Sequence, residues 1–216
     1  MLKTEDLIRQ FTYGKGTDRD SELVLFLEFL RSHPVESFLD IGAHYSTYNE
    51  YADKVRPQVK RYDGVDIIPD PEATKILDNF YVGNANDIKL QQYDMVVCIS
   101  TIEHAGVSTY KAEDIKKEQN RLFETCLNHA KKYMWISFPV GQQYVYPNEL
   151  SVITEDQLSY WEKLTKPYKV NQFYLYTQGA QAGHPWNQHR KRETAVKIPY
   201  IDFIGNQSIC VMEVEK

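Results

Sequence analysis

Apolar residues recur along this chain at two different periods. The first clear signal opens at Asp20 or Ser21, where Leu23, Phe26, Leu27 and Leu30 share one helical face, and Pro34 ends it. A shorter helix is predicted before it, over residues 4–12 with Thr4 as cap, broken by Tyr13-Gly14-Lys15-Gly16-Thr17. Beyond Pro34, short and nearly continuous apolar runs predict strands at Ser37–Gly42, Tyr62–Ile68, Phe80–Val82 and Tyr93–Ser100, then at Tyr133–Phe138, Asn171–Thr177 and Ser208–Val214. Helical patterns fall between them, near 47–55, 71–78, 114–130 and 154–165. The third of these puts Ile115, Leu122, Phe123, Cys126 and Ala130 on one side, and the fourth opens on the capping-box pattern Thr154-Glu155-Asp156-Gln157.

Alternating strands and helices with near-continuous apolar strands indicate an α/β fold, a mostly parallel sheet covered on both faces. Ligands in such sheets bind beyond the carboxyl ends of the strands, so every strand-to-helix loop becomes a candidate. About thirty residues, from Gln178 to Gln207, separate the last two strands without a helical pattern. A parallel crossover would carry a helix there, so the last strand is expected to be antiparallel. That assignment places the whole connection at the ligand end, where long loops are commonly functional.

Composition narrows the classes. At 216 residues, 42% of them hydrophobic and 25% charged, the chain has the balance of one globular domain. Residues 1–36 are read as an N-terminal helical segment or lid and 37–216 as the main domain. No apolar run approaches the ~20 residues of a membrane span and the N-terminus lacks a secretory layout, so cytoplasmic residence is expected. Cys98, Cys126 and Cys210 sit in apolar surroundings without CxxC pairing and read as buried small hydrophobes. A net charge of −5 argues against general nucleic-acid binding; the one basic cluster is His189-Arg190-Lys191-Arg192.

The candidate chemistry gathers at the strand ends. Strand one ends Asp40-Ile41-Gly42, and a glycine there lets backbone approach a ligand closely. Strand two ends at Asp66-Ile67, where an acid can accept both hydroxyls of a ribose. Gly83-Asn84-Ala85 follows strand three, and a polar side chain there can meet an adenine edge. Strand four runs into Ser100-Thr101-Ile102-Glu103-His104. Together these describe a pocket for an adenosine compound, with no requirement for phosphate.

This order of motifs, over roughly residues 35–215, resembles the class I S-adenosylmethionine-dependent methyltransferases. The resemblance implies a Rossmann-like fold with a mostly parallel seven-stranded sheet and an antiparallel last strand. It also implies roles: Asp40, Gly42 and Ala43 beside the methionine part of the cofactor, Asp66 on the ribose and Ile67 on the adenine. Asn84 and Ala85 match the family's Gly-Asp-Ala segment at the adenine edge, and Ser100 and Thr101 would lie beside the sulfonium. The Ser100-to-His104 stretch is similar to the Leu-Glu-His element of small-molecule members and to strand-four segments of methyltransferase-like proteins in sugar and glycan pathways.

One departure stands out. The family's Asp-x-Gly-x-Gly-x-Gly becomes Asp40-Ile41-Gly42-Ala43-His44-Tyr45, with histidine at the second glycine. That argues against a dinucleotide, whose pyrophosphate needs bare backbone at this turn. S-adenosylmethionine carries no phosphate and tolerates the change better. If His44 and Tyr45 point away from the pocket the chain is expected to be an enzyme; if they fill it, a methyltransferase-like scaffold.

His104 is the first candidate base, with bracing of the turn as its other role, and His184 on the long loop is a second. Ubiquinone-pathway O-methyltransferases and small-RNA 3′-end methyltransferases bind a divalent ion through Glu-x-x-Glu-His. Here Ser100 stands at the first glutamate, so a metal site would need His184 or His189 instead. Tyr144 and Tyr146 after strand five, with Trp186 and His189 on the long loop, are the candidate walls for a small hydroxylated acceptor such as a sugar, glycan precursor or natural product. The N-terminal Gly14-Lys15-Gly16-Thr17 lacks the spacing of a P-loop.

Overall fold

The computed structural model describes residues 18–44, 49–107, 112–142, 145–146, 150–178, 187–188, 191–197 and 206–216. Helix α1 (Asp18–Ser32) leads into strand β1 (Ser37–Ile41), followed by α2 (Asn49–Val55), β2 (Arg61–Asp66), α3 (Ala73–Ile76), β3 (Asn79–Val82) and β4 (Tyr93–Ile99). A 3-10 turn, Ile102–His104, precedes α4 (Ala112–His129) and β5 (Ala130–Pro139). A two-stranded ribbon, β6 (Val145–Tyr146) and β7 (Leu150–Ser151), then leads to α5 (Glu155–Thr165) and β8 (Lys169–Gln178). The last elements are β9 (Asn187–Gln188), α6 (Arg192–Ala195) and β10 (Asn206–Glu215).

The main sheet has the order β3-β2-β1-β4-β5-β10-β8-β9. Strands β1 to β5 run parallel, and β10 inserts antiparallel between β5 and β8, as expected of the last strand. The seven expected strands are all present, and the two-residue β9 adds an eighth at the edge, antiparallel to β8. The expectation that residues 178–207 carry no helix is corrected: α6 lies there, its four residues too few to show a helical period.

Strand alternation sorts the core into two layers. Phe38, Met95, Val97 and Trp135 point to the face covered by α1, where Phe26 meets the Trp135 ring edge-on at 5.4 Å. Leu39, Val96, Cys98 and Ile136 point to the other face, against α4 and α5. There Phe123 and Trp161 stack with centroids 4.5 Å apart and planes 6° apart. All three cysteines are buried and unbridged, as expected. Among the described residues no helix is long and apolar enough to cross a membrane.

The α5 capping box forms, with Gln157 Oε1 accepting the Thr154 backbone N–H at 3.4 Å. Gln157 also begins a buried amide chain. Its Nε2 donates to Gln119 Oε1 at 2.8 Å, and Gln119 Nε2 donates to the Ser151 carbonyl at 3.0 Å and that of Glu103 at 3.4 Å. These bonds tie α4, α5 and β7 to the turn after β4, which fixes the floor of the site.

Candidate active site

The strand order reverses between β1 and β4, the point where a ligand crevice is expected. Two adjoining cavities open there. The larger, about 360 Å³, reaches from Leu23 and Tyr51 past Asp40, His44 and Ser100. The smaller, about 190 Å³, is bounded by Asn84, Ala85, Gly106, Glu118 and Leu122. Gly42, Asp66, Ile67, Thr101 and His104 border both. A wider open groove of about 820 Å³ lies elsewhere, between α1, β8 and α6, and includes none of the expected site residues.

At the end of β1, Asp40 is buried and its Oδ2 accepts the Tyr62 hydroxyl at 3.3 Å. Gly42 has φ +88°, which favours glycine, and its N–H donates to the Val65 carbonyl at 2.9 Å. The space a side chain would need at Gly42 is already filled: an added Cβ would stand 2.1 Å from Thr101 Oγ1. Thr101 thus occupies the side-chain direction of Gly42, its hydroxyl donating to the Ile99 carbonyl at 2.9 Å, while Gly42 still borders both cavities. Ala43 requires a correction. It is fully buried in the α1-side core and borders neither cavity, because the turn directs it beneath β2, where a Cβ on Gly64 would come within 2.7 Å of it.

His44 stands at the wall of the larger cavity, with Nδ1 3.4 Å from Asp70 Oδ2, and does not plug it. Asp70 is buried; its Oδ1 also accepts the Glu72 N–H at 2.8 Å, where α3 begins. Tyr45 lies outside the described residues.

Asp66 ends β2 at the junction of the two cavities, its Oδ1 accepting the Ile68 N–H at 2.8 Å. Burial pushes its carboxyl above the ordinary carboxylate value, against the opposing pull of the Ile68 N–H and the nearby His44. Ile67 beside it is 68% exposed, a large apolar side chain left bare at a cavity rim. After β3, Asn84 is exposed and forms a local turn: its Oδ1 accepts the Asn86 N–H at 3.0 Å. Ala85 packs beneath it, buried.

Ser100, after β4, has φ +39°, unusual for a residue with a side chain. Its Oγ donates to Glu22 Oε1 at 2.6 Å, and Glu22, on α1, is fully buried. Glu103 is buried as well, and its Oε1 lies 3.9 Å from Nε2 of the half-exposed His104. Among the described residues no group of three His, Cys, Asp or Glu side chains is arranged to hold a metal ion. His184, Trp186, His189 and Tyr144 lie outside the described residues, and Tyr146 is placed only as part of β6.

Three site residues escaped the sequence reading: Glu22, Glu118 and Asp70, the partner of His44. The two glutamates carried a usable signal. Glu22 precedes Phe26 by four positions and Glu118 precedes Leu122 by four, so both are acids on apolar helical faces. The pairing of His44 with Asp70 joins two different loops, and no spacing rule would find it.

The sequence matches no family model and no curated protein. Solved structures share the fold. An S-adenosylmethionine-dependent methyltransferase from Clostridium acetobutylicum is 11% identical with a TM-score of 0.51, over 96% of this chain and 94% of its own. The N-methyltransferase NodS of Bradyrhizobium japonicum, solved with S-adenosylhomocysteine, is 9% identical with a TM-score of 0.53, over 98% of each chain. The 1,6-didemethyltoxoflavin-N1-methyltransferase of Burkholderia thailandensis is 14% identical with a TM-score of 0.51, over 99% of this chain and 86% of its own. The architecture is thus the Rossmann-like class I methyltransferase fold.

Proposed function

We propose that the protein transfers the methyl group of S-adenosylmethionine to an oxygen or nitrogen of a small, hydroxylated acceptor such as a sugar, glycan precursor or natural product. One observation carries this reading. The described residues lining the two cavities include three carboxylates, Asp40, Asp66 and Glu118, and no lysine or arginine. Such a surface attracts a sulfonium and an ammonium and repels a pyrophosphate. Asp66 would hold the ribose hydroxyls, and bare Ile67 would gain a cover when the adenine ring lies on it.

The cofactor supplies a methyl group already activated by its sulfonium, so the protein's main task is alignment. Ser100 and Thr101 border the larger cavity beyond β4, where an acceptor would meet that methyl group. His104 borders both cavities, and its imidazole would take the acceptor's proton as the new bond forms, with Glu103 Oε1 3.9 Å from its Nε2. His184 is the second candidate for that task.

A non-catalytic binding or scaffold role in a biosynthetic complex is the alternative, and the Thr101 side chain against Gly42 favours it. Calorimetric titration with S-adenosylmethionine, S-adenosylhomocysteine and NAD separates the two. The enzyme reading expects micromolar binding of the first two and none of NAD. Binding of none of the three would give the scaffold role the lead.

A further inference from the structure

Glu118 sits on α4, 8% exposed, in the wall of the smaller cavity. Arg121 Nη1 donates to its Oε1 at 3.0 Å and Asn86 Nδ2 to its Oε2 at 3.2 Å. The Asn86 amide is itself oriented, since Thr125 Oγ1 donates to its Oδ1 at 2.8 Å. A carboxylate has about four acceptor positions, so two remain after these bonds. Most of the surrounding wall is apolar, with Ile41, Val65, Ile67, Ala85 and Leu122. A slot with largely apolar walls, Asp66 at its junction with the larger cavity and the fixed Glu118 carboxylate on α4 suits a flat ring that carries an N–H donor. It disfavours a ring with a carbonyl in the same place, because two acceptors would then face each other out of water.

We infer that Glu118 reads the exocyclic 6-amino group of adenine and makes the site selective for adenosine over other purine nucleosides. This rests on the proposed cofactor and assigns a specificity-determining residue to it. Asn84 Oδ1 accepts the Asn86 N–H, so one of its two acceptor positions is taken, and the Glu118→Gln comparison below separates its part from that of Glu118.

The test is calorimetric, on the full chain, with S-adenosylhomocysteine and with S-inosylhomocysteine, in which a 6-oxo group replaces the amine. The wild type is expected to prefer the amino compound by about tenfold or more. Glu118→Gln keeps the side-chain length but adds an amide donor, and should bring the preference to within about threefold or reverse it. Equal binding of both compounds by the wild type would overturn the assignment without any variant. A wild-type preference that persists in Glu118→Gln would overturn it as well, and thermal unfolding of the variant checks that loss of the Arg121 pair has not undone the fold. If S-adenosylhomocysteine does not bind the wild type at all, the cofactor reading itself falls, and the assignment with it.

Discussion

Asp66→Ala is expected to weaken S-adenosylmethionine binding by about a hundredfold or more while leaving the fold intact, since hydrogen bonds to a charged group contribute ~1.5–3 kcal/mol each and two ribose hydroxyls would lose theirs. Calorimetry measures the affinity, and unchanged affinity would remove Asp66 from the site. The same residue predicts a pH effect of defined sign. Burial raises the Asp66 carboxyl above its ordinary value, so the folded chain holds this proton more tightly than the unfolded chain does. Its contribution to stability therefore falls as pH rises from the ordinary carboxylate value through the raised folded one, and above that the ionised group carries its full desolvation cost. Asp66→Asn keeps an acceptor for the Ile68 N–H and removes the charge. It should melt above the wild type at neutral pH, with the gap closing as pH falls to the ordinary carboxylate value. Cofactor affinity of the wild type should weaken over that same acidic window. A variant that melts below the wild type at neutral pH would contradict this account of the burial.

Gly42→Ala should cost about 2–5 kcal/mol of stability, for two separable reasons. A side chain at φ +88° costs ~1–2 kcal/mol, and forcing a Cβ against Thr101 adds an overpacking cost of ~1–3 kcal/mol. Urea unfolding of Gly42→Ala, Thr101→Gly and the double variant forms a cycle that isolates the second part. Thr101→Gly removes all three Thr101 atoms an added Cβ would meet, so the coupling should recover ~1–3 kcal/mol and leave the backbone strain behind. Zero coupling would mean that Thr101 moves aside freely and that the covered glycine is no obstacle to a ligand.

The fold was legible because burial on both faces leaves a plain trace. Tyr93–Ile99 is buried at every position and reads as an apolar run interrupted only by Asp94. Thr154 and Gln157 announced the start of α5 by their spacing alone. Boundaries were harder where polar residues belong to strands: β5 begins at Ala130, three positions before the apolar run, through Lys131 and Lys132. Helix α3 shrinks to Ala73–Ile76, with the Asp70 carboxylate and Pro71 setting its start. At the site, residues at strand ends were legible because topology brings strand ends together. Ala43 was misplaced because a turn residue's direction depends on the backbone angles of Gly42. The Ser100–Glu22 bond could not be read because it joins positions 78 residues apart.

The antiparallel position of β10 has a consequence for how the chain is made. Ribosomes deliver the strands in order, yet the one that closes the sheet comes last. Until Asn206–Glu215 emerges, β5 presents an open edge along Tyr133–Pro139 and β8 presents one along Lys169–Gln178, with nothing to join them. The parallel half, β1 to β5, can gather during synthesis, whereas β8 has no neighbour in the sheet except the short β9. Closure of the sheet therefore waits for β10, and until it pairs both edges stay open to wrong partners.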